Sequence, residues 1–270
     1  MTLNDTGTAL ATRSADGTTI AYERVGSGPS LVLVDGAFCG TQFGPSRALA
    51  QELASDFTVV FYDRRGRGGS TDTRPYAGER EIEDLAAVCE AAGGTPYLYG
   101  ISSGAALALE AVAAGLPAKK LAVYEAPYTE VGVQDGRTVD HEARLNALLA
   151  EDKRGAMVSY FLVKMVGAPA FVPIMLRLMP KVWRAQTAAA NTLPYEARVL
   201  NGFVAPTDRL SRISVPTRVM VGGKAAPNMV KAQETVARSI PGAEHRVLDG
   251  ETHQVSARAI ATQARQFFRS

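Results

Sequence analysis

The sequence has little cysteine and no long apolar run. Only Cys39 and Cys89 occur among its 270 residues, so a disulfide framework is excluded, and their spacing fits no metal site. No stretch of about 18 apolar residues predicts a membrane span. The polar amino terminus also lacks the apolar core of a signal peptide. These absences predict a cytoplasmic protein with no membrane partner.

An excess of charge of one sign is also missing, since 29 basic and 27 acidic residues leave a net charge of +2. The densest basic cluster, at residues 64–69, lacks the extended basic face and interleaved aromatic residues of a nucleic-acid site. It is expected to lie at the surface or to brace a loop. No metal-ligand cluster or phosphate loop is evident. The sequence therefore predicts no nucleic-acid partner, no metal and no cofactor.

The most informative stretch is Pro96–Ala113, PYLYGISSGAALALEAVA. A short apolar run, a turn of small residues and an Ala/Leu-rich segment predict a strand, a tight turn and a helix, with Ser102 at the apex. The turn GISSG fits the GxSxG pattern, in which a strained turn exposes a serine hydroxyl. Alternatively, small residues at these positions only make a tight turn.

Strand and helix patterns alternate on both sides of this turn. Continuous apolar runs predict strands buried on both faces, and apolar residues at helical spacing predict the helices between them. Such alternation indicates a parallel sheet whose carboxyl ends bind ligand. The predicted strands are 9–14 and 18–25 as an opening hairpin, then 31–34, 57–62, 97–99, 121–124, 215–223 and 245–250; the predicted helices are 47–54, 79–92, 228–239 and 256–268.

Between Tyr128 and Asp208 the pattern changes to helical segments with no convincing strand. The predicted pieces are 140–150, 155–166, 171–178 and 195–203. This arrangement predicts a core domain of residues 1–127 and 209–270 and a helical cap of residues 128–208. Its Met and Phe residues and Trp183 are expected to form either an adaptable apolar wall for a ligand or the core of the cap itself.

Several segments together resemble the α/β-hydrolase fold family. GISSG resembles its nucleophile elbow, FYDRRGRGGS the strand and loop before it, VPTRVMVGG the strand after the cap, and GETHQV the turn with its histidine. The resemblance covers nearly the whole chain outside the cap. It implies an α/β fold, a mostly parallel, doubly wound sheet with an inserted helical cap.

The proposed chemistry needs a base, because a serine hydroxyl is a poor nucleophile at neutral pH. Of three histidines, His141 lies in the predicted cap and is expected to face solvent, while His245 opens a strand. His253 follows the last strand, where the resemblance places the base. Ser102 and His253 are therefore the predicted nucleophile and base.

The carboxylate that orients the histidine is not where the family usually has it. The loop after the strand at 215–223 contains no Asp or Glu, and Lys224 stands there instead. Glu125, after the preceding strand, keeps the order serine, acid, histidine and is the predicted acid. Otherwise Glu125 pairs with an arginine or caps a turn. Asp249 is a weaker candidate, and the resemblance assigns Asp63 to loop structure.

Two backbone amides are predicted to stabilise the oxyanion, those of Ser103 and Ala37, with Phe38 as an alternative to Ala37. Asp35 stands where the family usually has histidine, and it is expected to turn away into a structural hydrogen bond. Cys39 is interpreted as a small wall residue. Lys224 is expected to be solvated or to contact an anionic substrate group.

The residues thus predict a cofactor-free serine hydrolase that cleaves an ester, thioester or lactone of an apolar small molecule. The resemblance argues against an epoxide hydrolase or a haloalkane dehalogenase, because the family members with those activities have Asp where this chain has Ser102. Two alternatives stay open: a lyase, acyltransferase or cyclase using the same site, and a ligand-binding protein with a vestigial triad. The oligomeric state is left open.

Overall fold

The structure is a computed structural model that describes residues 10–130, 133–134 and 137–270. Residues 1–9, which include Ala9 of the first predicted strand, lie outside these ranges. Eight strands form one sheet. They are β1 (Leu10–Arg13), β2 (Thr19–Val25), β3 (Ser30–Val34), β4 (Thr58–Tyr62), β5 (Tyr97–Ile101), β6 (Leu121–Tyr124), β9 (Thr217–Gly222) and β10 (Glu244–Leu248).

The strand order explains where a site can form. It is β1-β2-β4-β3-β5-β6-β9-β10, with β1, β2 and β4 pairing antiparallel and the other pairs parallel. From β3 the chain moves outward to β4 and then returns past β3 to β5. The loops that follow β3 and β5 therefore diverge at the carboxyl edge of the sheet, which leaves a crevice between them.

Helices cover both faces of the sheet and bury an apolar cluster on each. These helices are α1 (Ser46–Leu53), α2 (Gly78–Ala91), α3 (Ser103–Ala113), α10 (Pro227–Ser239) and α11 (Ala257–Phe268). Residues of α1 and α11, among them Leu53 and Phe267, belong to one cluster. Residues of α2, α3 and α10 belong to the other. The strands in the middle of the sheet are apolar throughout because both faces are buried.

We call residues 128–208, between β6 and β9, the insert. It is mostly helical, as the sequence predicts, and it also includes a π-helical turn at Phe161–Met165 and 3₁₀ turns at Ala190–Thr192 and Asn201–Phe203. Its helices are α4 (His141–Ala150), α5 (Arg154–Tyr160), α6 (Val172–Arg177), α7 (Pro180–Ala188), α8 (Leu193–Val199) and α9 (Thr207–Leu210), the last ending two residues beyond it.

The insert differs from the prediction in two respects. The expectation of no strand is wrong, because β7 (Val133–Gln134) and β8 (Arg137–Thr138) pair antiparallel. Each has only two residues, too short for a periodic pattern to reveal. The sequence analysis also missed α7, since Pro180 looks like a helix breaker. It stands instead in the first turn, where a proline costs no hydrogen bond.

Candidate active site

Ser102 lies at the sharp turn between β5 and α3, in a strained backbone conformation. Its φ is 57° and its ψ is −129°, a combination that residues with a side chain rarely adopt. The Ser102 amide donates to the Tyr124 carbonyl of the adjacent strand at 3.0 Å, which holds the turn against the sheet. The serine is thus fixed at the carboxyl edge, where the sequence analysis predicts it.

The glycines of GISSG are required because other backbone segments approach them closely. A Cβ on Gly104 would lie 2.1 Å from the Val34 carbonyl oxygen, and one on Gly100 would lie 2.6 Å from the Gly104 carbonyl oxygen. Neither contact is tolerated between non-bonded atoms. The alternative that small residues only make a tight turn is therefore incomplete, because they also let α3 and the loop after β3 pack beside Ser102.

Glu125 and His253 form a hydrogen-bonded pair. His253 Nδ1 lies 2.6 Å from Glu125 Oε2, and the Gly222 amide donates to Glu125 Oε1 at 2.9 Å. An ionised carboxylate only accepts hydrogen bonds, so this contact places the imidazole proton on Nδ1 and leaves Nε2 free to accept one. The Glu125 side chain is buried, whereas 49% of the His253 side chain is exposed.

The turn that carries Glu125 is held from two sides. Gln233 of α10 accepts from the Ala126 amide at 3.1 Å and donates to the Ala126 carbonyl at 2.7 Å. The Tyr124 hydroxyl donates to the Thr252 carbonyl, next to His253, at 2.6 Å. These contacts link the loops after β6 and β10, so the carboxylate and the imidazole keep their relative positions.

A cavity of about 290 Å³ brings the predicted residues together. Ser102, Glu125 and His253 all line it, as do Ala37 and Ser103. The remaining wall is mostly apolar and comes from the insert, from Pro127 just before it, and from the loop before α10 and the first turn of that helix. These residues are Pro127, Thr129, Phe161, Met165, Val166, Leu200, Phe203, Lys224, Ala225, Ala226, Asn228 and Met229. A larger groove of about 410 Å³ beside α2 and α3 is lined by no serine, histidine or cysteine.

Ala37 and Ser103 both line this cavity, and their amides have no hydrogen-bond partner in the described chain. Ser103 is the first residue of α3, where a helix leaves its amide groups unsatisfied and carries a partial positive charge. Gly36 brings the loop after β3 so close that a Cβ there would lie 2.9 Å from Ser102 Cβ. Two residues with unpaired amide groups therefore line the cavity together with Ser102.

Comparison with known proteins gives the family. The model of the alpha/beta hydrolase family matches residues 26–261, which is most of the chain. The chain belongs to the alpha/beta hydrolase family. An alpha/beta hydrolase from Sphaerobacter thermophilus DSM 20745 is 46% identical, with a TM-score of 0.87 over 96% of this chain and all of that one. The resemblance inferred from the motifs and the predicted fold class are thus confirmed.

Other relatives are more distant. A thermophilic esterase from Thermogutta terrifontis (21% identity, TM-score 0.71, 97% of this chain and 98% of that one) shares the fold. Esterase RhEst1 from Rhodococcus sp. ECU1013 also shares it, with 22% identity and a TM-score of 0.69 over 97% of this chain and 98% of that one. An uncharacterized hydrolase, YraK of Bacillus subtilis, is 33% identical over 114 residues, so the match spans 41% of this chain and 40% of that protein. Family and relatives together support a hydrolase.

Beneath the site of this alpha/beta hydrolase lies a buried ionic network that the sequence analysis missed. Arg64 donates to both carboxylate oxygens of Glu81, at 2.6 and 2.8 Å, and lies 3.3 Å from Ser103 Oγ. Arg67 donates to the Gly36 carbonyl at 2.8 Å and to the Cys39 carbonyl at 3.2 Å. The arginines of residues 64–69 therefore brace loops, which was one of the two alternatives predicted from the sequence. They are buried, so the other alternative, a position at the surface, is wrong.

Glu196 of α8 completes this network from the insert. Its carboxylate is fully buried and accepts from Arg67 and from Arg64. Thr192 also accepts from Arg67, at 3.1 Å. The same guanidinium thus contacts both the loop after β3 and the insert, and it fixes the loop that presents the Ala37 amide.

Asp35 does not line the cavity, and its carboxylate turns away from Ser102 as expected. Burial raises the pKa of Asp35 to about 6. Hydrogen bonds from Ser46 and the positive charges of Arg67 and Arg64 act in the opposite direction but do not cancel this effect. Its neighbour Cys39 lies outside the Ser102 cavity, so it is not a wall residue of that site. Burial raises the pKa of the Cys39 thiol to about 12, which leaves it unreactive.

The stability of the protein is expected to fall between about pH 4 and pH 7 because of Asp35. The folded state binds this proton more tightly than the unfolded chain, so its stabilising contribution is complete below the unfolded pKa and is lost as the pH rises through about 6. Across this range, the free energy of unfolding of the wild type should fall by roughly 3 kcal/mol relative to that of Asp35→Asn. Urea unfolding of both proteins at several pH values measures it.

The matched control is Asp152→Asn, which changes a carboxylate whose side chain is 80% exposed. The free energy of unfolding of this variant should depend on pH in the same way as that of the wild type. A difference between wild type and Asp35→Asn that stays constant from acidic to neutral pH would contradict the argument.

The other candidates have structural positions. His141 is buried and its Nδ1 lies 2.9 Å from the Tyr160 hydroxyl, so the expectation that it faces solvent is wrong. His245 lies on β10, and Asp249 is exposed. Asp63 accepts from the Thr41 and Gly69 amides at 2.6 and 2.8 Å, in the loop role assigned to it. Lys224 lines the cavity.

The apolar residues of the insert divide among three environments. Phe161 and Met165 line the cavity, and Met157 is buried in the core. Phe171, Met175 and Met179 are instead exposed. Some of these residues therefore form an apolar wall of the cavity and others form a core, but neither expectation describes the exposed ones.

Within residues 10–130, 133–134 and 137–270, no group of three or more His, Cys, Asp or Glu side chains is placed to hold a metal ion. None of the helices in the same ranges has the length and apolar content needed to cross a bilayer.

Proposed function

We propose that this protein is a cofactor-free serine hydrolase that cleaves an ester, thioester or lactone of a small, mainly apolar molecule. The observation that carries the proposal is the Glu125–His253 hydrogen bond of 2.6 Å in the cavity that Ser102 lines. A buried carboxylate that orients an imidazole beside a serine on a strained turn is the arrangement that nucleophilic acyl transfer requires.

In the first half of the proposed reaction, Nε2 of His253 takes the proton of Ser102 as Oγ bonds to the substrate carbonyl carbon. The carbonyl oxygen becomes an oxyanion, and the amides of Ala37 and Ser103 donate to it. Glu125 stabilises the imidazolium. The carbon–oxygen bond to the leaving alcohol then breaks, the alcohol takes the proton from Nε2, and an acyl group remains on Ser102.

In the second half, water attacks the acyl carbon while His253 again accepts a proton, and the carboxylic acid leaves as Ser102 regains its hydrogen. The exposure of half the His253 side chain supports hydrolysis over a reaction that excludes water, because water reaches the imidazole in the open cavity. A lyase or acyltransferase needs that water kept out.

The cavity wall supports the proposed substrate class. Phe161, Met165, Leu200 and Phe203 supply an apolar surface, which supports the proposal that the insert acts as a helical cap over a core of residues 1–127 and 209–270. A volume of about 290 Å³ lies at the small end of ligand sites and supports a short acyl group. Two free thiols support the proposed cytoplasmic location.

A panel of p-nitrophenyl esters, combined with a fluorophosphonate probe, tests the proposal. We expect the probe to label the protein, and we expect acetyl, butyryl and hexanoyl esters to be cleaved faster than the palmitoyl ester. Labelling without cleavage of any ester or thioester would overturn hydrolysis in favour of a non-hydrolytic enzyme. A folded protein that neither reacts nor is labelled would instead be a binding protein.

A further inference from the structure

The insert carries a concentrated exposed apolar surface. Ten large apolar side chains are exposed in the described chain, and six of them fall within residues 166–179. Leu178 is the most exposed, at 78%. We call these six the apolar patch: Val166, Phe171, Ile174, Met175, Leu178 and Met179. Such a concentration indicates a surface that binds a partner, whereas scattered exposed apolar residues do not.

The charge along this part of the insert has one sign only. Between Asp152 and Glu196 the sequence has no acidic residue, although acidic and basic residues are nearly balanced over the whole chain. Four basic side chains in this segment are exposed and have no carboxylate partner in the described chain. They are Lys164, Arg177, Lys181 and Arg184. The partner of the patch is therefore expected to be anionic.

The patch is continuous with the cavity that Ser102 lines. Met165 and Val166 both contribute to the cavity wall, and Val166 is also part of the patch. The π-helical turn that carries Met165 packs against α6, which carries Ile174 and Met175. Whatever binds the patch therefore lies next to the opening of the cavity.

We propose that the apolar patch docks on the surface of an anionic lipid bilayer. Apolar side chains beside lysines and arginines are the combination that binds such a surface, because the side chains enter the interface while the cations meet the head groups. A second copy of this chain fits less well, since two patches face to face would bring eight unpaired cations together. This proposal departs from the prediction of no membrane partner, which rests on the lack of a long apolar run, because docking on the surface of a bilayer requires no membrane-spanning helix.

Docking on a bilayer places the cavity opening where apolar esters partition. That consequence for substrate supply rests on the proposed function, whereas the docking itself does not. Vesicle binding by the Ser102→Ala variant therefore tests the docking independently of any reaction.

Co-sedimentation with vesicles of equal parts phosphatidylcholine and phosphatidylglycerol, compared with phosphatidylcholine alone, provides the test. Wild type and Ser102→Ala should both bind the anionic vesicles, and added salt should weaken the binding. Phe171→Ser and Leu178→Ser should each reduce the partition coefficient roughly tenfold. Lys181→Gln should reduce it about fivefold.

The matched control is Val247→Ser, which removes an exposed apolar side chain from β10, away from the patch. It should bind as wild type does. Since Phe171 and Leu178 are exposed and line no part of the cavity, their variants should keep the wild-type Tm and the wild-type rate on a water-soluble ester.

Three results would overturn the docking. They are no binding to anionic vesicles, binding that the patch variants leave unchanged, and a lipid-free wild-type dimer that Leu178→Ser converts to monomer. The last would assign the patch to self-association. Vesicle binding without ester cleavage by wild type would support the docking and count against the proposed function.

Discussion

Replacing Ser102 with alanine is expected to lower kcat/KM on p-nitrophenyl butyrate on the order of 10⁴- to 10⁶-fold. The change removes the atom that bonds to the substrate carbon, while the amides of Ala37 and Ser103 remain in place. Those two donors and the apolar wall leave some rate enhancement over water. Steady-state kinetics at high enzyme concentration measure the residual rate. Fluorophosphonate labelling, which should be lost, checks the same change independently.

The fold should survive this substitution. Ser102 already has a positive φ, and alanine adopts that conformation at similar cost, so the free energy of unfolding should change by less than about 1 kcal/mol. Ser239→Ala is the matched control, because it removes a hydroxyl that bonds only within α10. A Ser102→Ala protein that keeps a tenth or more of the wild-type rate would exclude Ser102 as the nucleophile.

Replacing Glu125 with glutamine is expected to lower kcat about 10³- to 10⁴-fold. The amide oxygen still accepts from the Gly222 amide at Oε1, so the side chain keeps its position. Its NH₂ group then faces His253 Nδ1 and donates to it, which moves the imidazole proton to Nε2. A protonated Nε2 is unable to take the proton of Ser102, and the imidazolium also loses its stabilising charge.

Kinetics and unfolding of Glu125→Gln separate this effect from a loss of structure. The Tm should fall by only a few degrees, as expected when one buried hydrogen bond is rearranged. Asp249→Asn is the control, because Asp249 is the other carboxylate near His253 in sequence and is exposed. If Asp249→Asn loses activity and Glu125→Gln does not, the acid has been assigned to the wrong residue.

The sequence predicts most of the core because each central strand is a continuous apolar run between helices of clear periodicity. It also indicates where Ser102, Glu125 and His253 lie, since each follows a different strand and parallel strands end at the same edge. The structure brings all three to one cavity. Their catalytic roles remain predictions until the variants are measured.

The rest of the site depends on contacts that no local pattern encodes. Nothing near Arg67 in the sequence indicates that its partner is Glu196, which follows 129 residues later. Apolar content alone also fails to separate Phe161, which lines the cavity, from Phe171, which is exposed. His141 was misplaced for a similar reason, because its burial depends on how α4 packs against its neighbours.

The contact between Arg67 and Glu196 has a consequence for how such proteins diversify. One way to change substrate preference would be to replace the insert between β6 and β9 with the corresponding segment of a relative. Here the exchange would remove the carboxylate of Glu196, which Arg64 and Arg67 share. Arg64 would keep Glu81, whereas the buried guanidinium of Arg67 would lose its carboxylate partner beneath the loop after β3. In this lineage the two segments are expected to be inherited together, and a working chimera would have to carry residues 64–67 with its new helices.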